Sequence, residues 1–505
     1  MSSPESVNGR QAATALRERL AELADLGTTI ALLGWDRETV MPKRGAESRG
    51  ELTATLERLA HERAADATLG ELIDAAAAAA GAPGALPDDA VIARVARRDR
   101  DRATRIPGEL VVAIAHANAD AIPAWMQARE ESDFARFRPH LERQVELRRE
   151  VAACFPDFAH PYDALLDGYE PGATTAGVRD VFARLRAGLV PLVEAIAERP
   201  APAPLPGPFP VAEQRTLGLE IARSFGFEDD AWRIDDAVHP FAQSIARSDV
   251  RVTARWSEAD LSGIFAVMHE VGHGLYEAGV DPALDRTTLG TGVSLGIHES
   301  QSRTWENQVG RSWPFWEHWY PRAQALFPQA LADVPLEDFH RSINAVHPTL
   351  IRVDADEATY ALHVILRFEL EVALIEGTLA VADVPAAWNE RTRDMLGVEV
   401  PDDRHGCLQD IHWSYGELGY FPTYALGNVV SGQLWAAARR ELPGLDAALQ
   451  AGDCSQLRDW LRRTIHHHGR RLDPPELLRQ ATGSDLDPEP LLDYLRGKYT
   501  ALYDL

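Results

Sequence analysis

Residues 257–279 read SEADLSGIFAVMHEVGHGLYEAG, and this stretch decides how the chain is read. Ser257 with Asp260 three residues on resembles a capping box, so a helix is expected to start there. Gly279 is a natural stop just after Glu277. Ile264, Val267, Met268, Val271 and Leu275 form an apolar stripe at helical spacing that anchors this helix in a core. His269 and His273 stand four apart, so their imidazoles lie one turn apart on one face. That suits two neighbouring vertices of a tetrahedral zinc site. Glu270 sits about 100° around the helix from His269, beside a metal but poorly placed to ligate it. There it can hold a water and take its proton. Two histidines at the edge of an ordinary helix are the plainer reading, but the helical context the motif requires is present.

A catalytic zinc takes three protein ligands and keeps one position open. Glu277 lies one turn beyond His273, yet its Cα is about 12 Å along the axis from that of His269. Three side chains on one rod do not converge easily, so the third ligand is expected from another element. Glu299 lies in Gly296-Ile297-His298-Glu299-Ser300-Gln301-Ser302-Arg303, helical in character, after a Gly- and Thr-rich loop at 288–296. Glu306, on nearly the same face two turns later, competes with it. Spacing separates the two only slightly.

Further clusters bear on a substrate. Arg352 stands beside acids in Ile351-Arg352-Val353-Asp354-Ala355-Asp356-Glu357, ahead of a helix expected over 355–376. It reads either as a surface salt bridge or as a guanidinium kept for bidentate recognition of a carboxylate. Gln409-Asp410-Ile411-His412-Trp413, followed by Gly416, Gly419, Tyr420 and Phe421, is dense in polar and aromatic side chains. Such a loop can supply a donor to a developing oxyanion, or be a buried polar network. His466, His467 and His468 are consecutive and flanked by Arg462, Arg463, Arg470 and Arg471, which favours a solvated basic helix end over a metal tract.

Around these motifs the chain is helical in pattern. Residues 10–30, 47–65 and 134–153 are rich in good helix formers, and Ala75 to Ala80 extend another helix that Gly81, Pro83 and Gly84 should stop. Residues 199–210, RPAPAPLPGPFP, can be neither helix nor paired strand. The clearest strand is Arg251 to Trp256. The fold class is therefore mostly α, with one small β-sheet near residue 250.

The 505 residues carry 51 basic against 77 acidic side chains, a net charge of −26, with Lys43 and Lys498 the only lysines. Such a polyanion should not bind nucleic acid or anionic membrane. No run approaches the about 20 unbroken apolar residues of a membrane span, and no secretory signal is visible. Cys154, Cys407 and Cys454 are scattered and odd in number, which argues against a disulfide framework or a Cys-rich zinc module. A cytoplasmic location is expected. Length alone suggests roughly three domains, or one large helical body.

Several ordered motifs together make the chain resemble the carboxypeptidase Taq family of zinc-dependent metallocarboxypeptidases. They are His239-Pro240-Phe241, Asp249-Val250-Arg251-Val252-Thr253, the His269–His273 motif, His298 to Arg303, Ile351-Arg352 with Ala355-Asp356, and Gly406 through Gln409-Asp410 to His412-Trp413. Upstream, Gly34-Trp35-Asp36 with Thr39, Met41-Pro42 and Gly45, and Tyr162 to Asp167 with Tyr169-Glu170-Pro171-Gly172, fit the same pattern. The resemblance implies zinc ligands His269, His273 and Glu299, with Zn2+ replaceable by Co2+ or another divalent metal. It implies Glu270 as general base, Arg352 as the grip on a substrate's free C-terminal carboxylate, and His412 and Tyr420 as polarisers of the scissile carbonyl, with Tyr415 and Tyr424 close by. It also implies a single domain over 1–505, a deep groove between two helical halves, broad specificity for peptides with a free C-terminus, and a homodimer. The rival readings are an endo-acting zinc oligopeptidase and a non-catalytic zinc-stabilised peptide-binding scaffold.

Overall fold

A computed structural model describes residues 4–80 and 86–505, with side chains from residue 11 onward. Among the described residues it is built of α-helices and one three-stranded sheet. The expected helices are present as Pro4–Thr39, Ala46–Ala65, Ala67–Ala79 and Phe134–Ala153. Gly81, Pro83 and Gly84, the expected stop after the Ala-rich run, lie outside the described residues.

Strands β1 (Trp232–Asp236), β2 (Ala242–Ala246) and β3 (Asp249–Ala254) run in the order β1-β3-β2, with β1 parallel and β2 antiparallel to β3. The central strand begins two residues earlier than its alternation suggests. Arg255 and Trp256 leave it, and the Trp256 ring covers Gly218 and Gly263.

The motif helix is Ser262–Gly279, starting later than the capping signature implied. Ser257 Oγ accepts from Ala259 N and Asp260 Oδ1 from Ser262 N, so both side chains close turns ahead of the helix instead of capping it at Ser257. The Pro-rich segment 199–210 has no regular structure, but Phe209 is buried and its N–H donates to Glu258 O at 2.9 Å. Gln214 Nε2 bonds both Phe209 O and Ser257 O, tying the segment to the lead-in of the motif helix.

The buried apolar residues fall into two large clusters and a smaller one. One gathers Tyr162, Phe182, Phe368, Trp388, Trp413 and Phe421; the other gathers Phe225, Val267, Met268, Val271, Trp305 and Trp316. The helix Pro422–Glu441 serves both, with Ala425, Leu426 and Val429 in the first and Val430, Leu434 and Trp435 in the second. The third joins Leu16, Leu20, Leu69, Ile73 and Ile92 of the N-terminal helices to Val280, Leu284 and Leu289, just past the motif helix. No described helix is long and apolar enough to cross a membrane.

Candidate metal centre and carboxylate-binding site

The convergence that one helix could not provide comes from a close helix crossing. A Cβ on Gly272 would sit 2.7 Å from Gln301 O and from Ser302 Cα, so only glycine lets the helix Leu295–Arg303 lie against the motif helix there. On the opposite side, a Cβ on Gly427 would meet the Cβ of Glu299 at 2.5 Å. Glu299 is thus wedged between two helices, and its Oε2 lies 3.6 Å from His269 Nε2 and 3.5 Å from His273 Nε2. One ligand atom from each of the three residues falls within 4.8 Å of the others.

The remaining ring nitrogens define the tautomers. His269 Nδ1 lies 2.9 Å from Glu306 Oε2; an ionised carboxylate only accepts, so Nδ1 carries the proton and Nε2 offers its lone pair. His298 donates Nε2–H to Glu277 Oε1 at 2.9 Å, which leaves its Nδ1 to accept from His273 Nδ1–H at 2.6 Å. His273 Nε2 is therefore also bare. Burial pushes His273 down to about 4, which keeps it neutral as a ligand must be. Burial alone would raise Glu299, but Arg303 and His269 hold its carboxyl well below the usual range. Arg303 donates to Glu299 Oε1 at 2.7 Å and to Glu306 Oε2 at 3.2 Å, leaving Glu299 Oε2 turned towards the imidazoles. Two imidazole nitrogens and one carboxylate oxygen suit a divalent ion, and the residues present fit one.

Glu306 is no third ligand of this set. It lies in a π-helical turn, Thr304–Val309, whose wider winding breaks the two-turn alignment with Glu299, and it supports His269 from behind. Glu277 likewise bonds His298, Thr291 and Gly292 N instead of joining the ligands. Glu270 is 6% exposed, and burial pushes its carboxyl up to about 7 against the pull of His269.

Arg352 makes a buried ion pair, not the surface salt bridge that was one of the two expectations for it. It is 5% exposed, and its Nε and Nη2 both donate to Asp410 Oδ1 while Nη1 bonds the Tyr360 hydroxyl. Arg367, fully buried, donates Nε to Asp410 Oδ2 at 2.7 Å. Two guanidiniums thus share one aspartate. Arg352 lies in a short 3-10 turn, Arg352–Asp354, and the helix expected from 355 begins only at Tyr360, because Asp356 spends its carboxylate on the backbone of His347, Ala358 and Thr359. The His412 ring packs on Phe421 and Tyr420, with centroids 4.5 and 5.4 Å away. Burial pushes His412 down to about 4, so the ring is neutral near pH 7. Burial also raises the Tyr420 phenol, and the charges of Glu417 and Glu299 add to that shift. Tyr420 and Tyr424 hydroxyls are 3.4 Å apart, whereas Tyr415 is one of the exposed large side chains.

One residue of the histidine run departs from the expected solvated helix end, whereas His467 is exposed. His466 is buried and bonds Gln301 Oε1 at 2.8 Å, and a Cβ on Gly279 would strike its ring. Sequence reasoning missed this residue, as it missed Arg303 and Asp410 as organisers. Arg303 at four and three residues from Glu299 and Glu306 was the available signal.

The profile of the carboxypeptidase Taq (M32) metallopeptidase family matches residues 15–499. The chain belongs to that family. It is a metallocarboxypeptidase, a peptide hydrolase whose chemistry calls for a divalent metal. It is 43% identical over 501 residues to thermostable carboxypeptidase 1 of Thermus thermophilus, covering 97% of this chain and 98% of that one. It is 37% identical to carboxypeptidase 1 of Bacillus subtilis over 489 residues, 96% and 97% of the two chains. Among solved structures, the crystal structure of an M32 carboxypeptidase from Deinococcus radiodurans superposes with a TM-score of 0.95 at 43% identity, covering 98% of this chain and 100% of that one. Trypanosoma cruzi metallocarboxypeptidase 1 gives 0.93 at 35% identity, over 97% and 99%.

Proposed function

We propose that this metallocarboxypeptidase is zinc-dependent and removes single residues from peptide C-termini by attack of a water molecule. The observation that carries the reading is the pair of bare imidazole nitrogens facing one Glu299 oxygen, with buried Glu270 next in sequence to His269. A divalent ion held by His269, His273 and Glu299 supplies Lewis acidity towards a carbonyl and acidifies a water; zinc suits the donor set and cobalt can replace it. Arg352 takes the substrate's C-terminal carboxylate, a reading supported by two buried guanidiniums bonding a single aspartate. The last peptide carbonyl then lies towards His412 and Tyr420, whose donors stabilise the oxyanion. Glu270 accepts the water's proton as its oxygen attacks, and delivers it to the leaving amine.

Recognition through the free carboxylate, not through one side chain, supports broad specificity. The whole chain, 1–505, acts as one domain in this reading. Cys154, Cys407 and Cys454 are unpaired, which supports a reducing, cytoplasmic setting. A homodimer is proposed on family membership alone and is tested by sedimentation. For the reaction, the test is a timed mass-spectrometric digest of mixed peptides with and without chelator. A C-terminal ladder that vanishes with chelator is expected; internal cuts, or equal cleavage of C-terminally amidated peptides, would overturn the proposal.

A further inference from the structure

His412 and Tyr420 are packed among aromatic rings but have few side-chain hydrogen bonds to hold them in place. His412 Nδ1 is buried without a hydrogen-bond partner, Asp410 lying 4.0 Å away, and the Tyr420 hydroxyl has only the long contact to Tyr424 at 3.4 Å. Beyond that ring packing, their placement comes through the backbone of the loop that carries them. That loop is gripped near both ends by one carboxylate. Glu371, on the helix Tyr360–Glu376, has no exposed surface and accepts Trp413 Nε1–H at 2.8 Å on Oε1 and Gly419 N–H at 2.9 Å on Oε2. Trp413 follows His412 and Gly419 precedes Tyr420 in the chain.

A third donor completes the joint. The Tyr162 hydroxyl donates to Glu371 Oε2 at 2.7 Å from the short helix Pro161–Leu166. The end of that helix seats the same turn. Gly419 has φ of +97°, and a Cβ there would lie 2.9 Å from the backbone of Leu165 and Leu166. All three partners are donors, so an ionised carboxylate satisfies them and an amide cannot. In either orientation, a glutamine amide sets its NH2 against the Trp413 donor or against the Tyr162–Gly419 pair.

We infer that Glu371 is a positioning residue for the reaction, fixing the spacing between His412 and Tyr420 through its simultaneous hold on Trp413 and Gly419. The inference rests on the reading of His412 and Tyr420 as the groups that polarise the carbonyl. Its effect is confined to the transition state, where those donors are used, and leaves metal and substrate binding alone.

The test is steady-state kinetics of the zinc-loaded full chain with metal content measured in parallel. Glu371→Gln should lower kcat by about tenfold with KM within about twofold and zinc content unchanged. In a His412→Ala/Tyr420→Phe background the same substitution should change kcat by less than about twofold, because the groups it positions are already gone. Trp413→Phe, which removes one donor and keeps an aromatic ring, should lower kcat by about fivefold and serves if Glu371→Gln does not fold. An unchanged kcat in the folded single variants, an equal loss in both backgrounds, or a rise in KM without a fall in kcat would overturn the inference while leaving His412 and Tyr420 in their roles. If His412→Ala/Tyr420→Phe itself turns over normally, the polarising roles fail and this inference falls with them.

Discussion

Arg352 sets two of its nitrogens, Nε and Nη2, on a single oxygen of Asp410, at 3.0 and 2.8 Å, while Arg367 takes the other oxygen. The aspartate keeps the Arg352 fork in a fixed plane, and two guanidinium charges stand against the one carboxylate that both bond.

Removing the Arg352 charge should therefore cost most on substrates that end in a carboxylate. Arg352→Ala should lower kcat/KM for a free-acid peptide by about 100-fold, the scale of a buried charged hydrogen bond, and change the amidated twin little. The ratio of the two specificity constants checks it; a preserved ratio would remove Arg352 from recognition.

Glu270 is not among the three residues His269, His273 and Glu299 that converge. Glu270→Gln should keep metal stoichiometry and lower kcat by about 1,000-fold, within the range for loss of a general base. Metal analysis and turnover on the same preparation decide it, and an active variant would refute the mechanism.

The carboxylates around the histidines should separate by rank. Glu299→Ala should come through purification depleted in metal. Glu306→Ala leaves all three ligands but frees His269 from its orienting partner, so affinity should drop about 10- to 100-fold in chelator competition. Glu277→Ala acts through His298 and should retain its metal through purification.

Glu170 makes a prediction about pH. It is buried and accepts from Ser294 Oγ and Gly296 N, each at 2.8 Å, and burial pushes its carboxyl up to about 7. A raised acid binds its proton more tightly when folded, so its contribution is complete below about 4.5 and is lost as pH rises through about 7. The loss is on the order of 3 kcal/mol. Glu170→Gln stays neutral and can still accept from Gly296, so denaturation should show a shallower fall in stability from pH 5 to pH 8. Parallel curves for the two proteins would contradict the assignment.

What the sequence made legible was local. The stripe from Ile264 to Leu275 and the four-residue spacing of His269 and His273 are properties of one helix, and they are found as read. Ser257 and Asp260 misled because such side chains cap turns as readily as helices. Glu299 and Glu306 could not be separated by spacing that assumes a regular helix, since a π-helical turn lies between them. The burial of Arg352 depends on Asp410, 58 residues on, and that of His466 on Gln301, 165 residues away. Partners at such separations leave no periodic trace.

The smaller apolar cluster has a bearing on how the chain is made. Leu16, Leu20 and Ile92 share it with Val280, Leu284 and Leu289, and Asp88 and Asp99 are paired with Arg471 and Arg470. These N-terminal helices thus find apolar partners at residues 280–289 and ion-pair partners only at Arg470 and Arg471, 371 and 383 residues beyond Asp99 and Asp88. Until residues 280–289 are made, the face formed by Leu16, Leu20 and Ile92 lacks that part of its apolar cover.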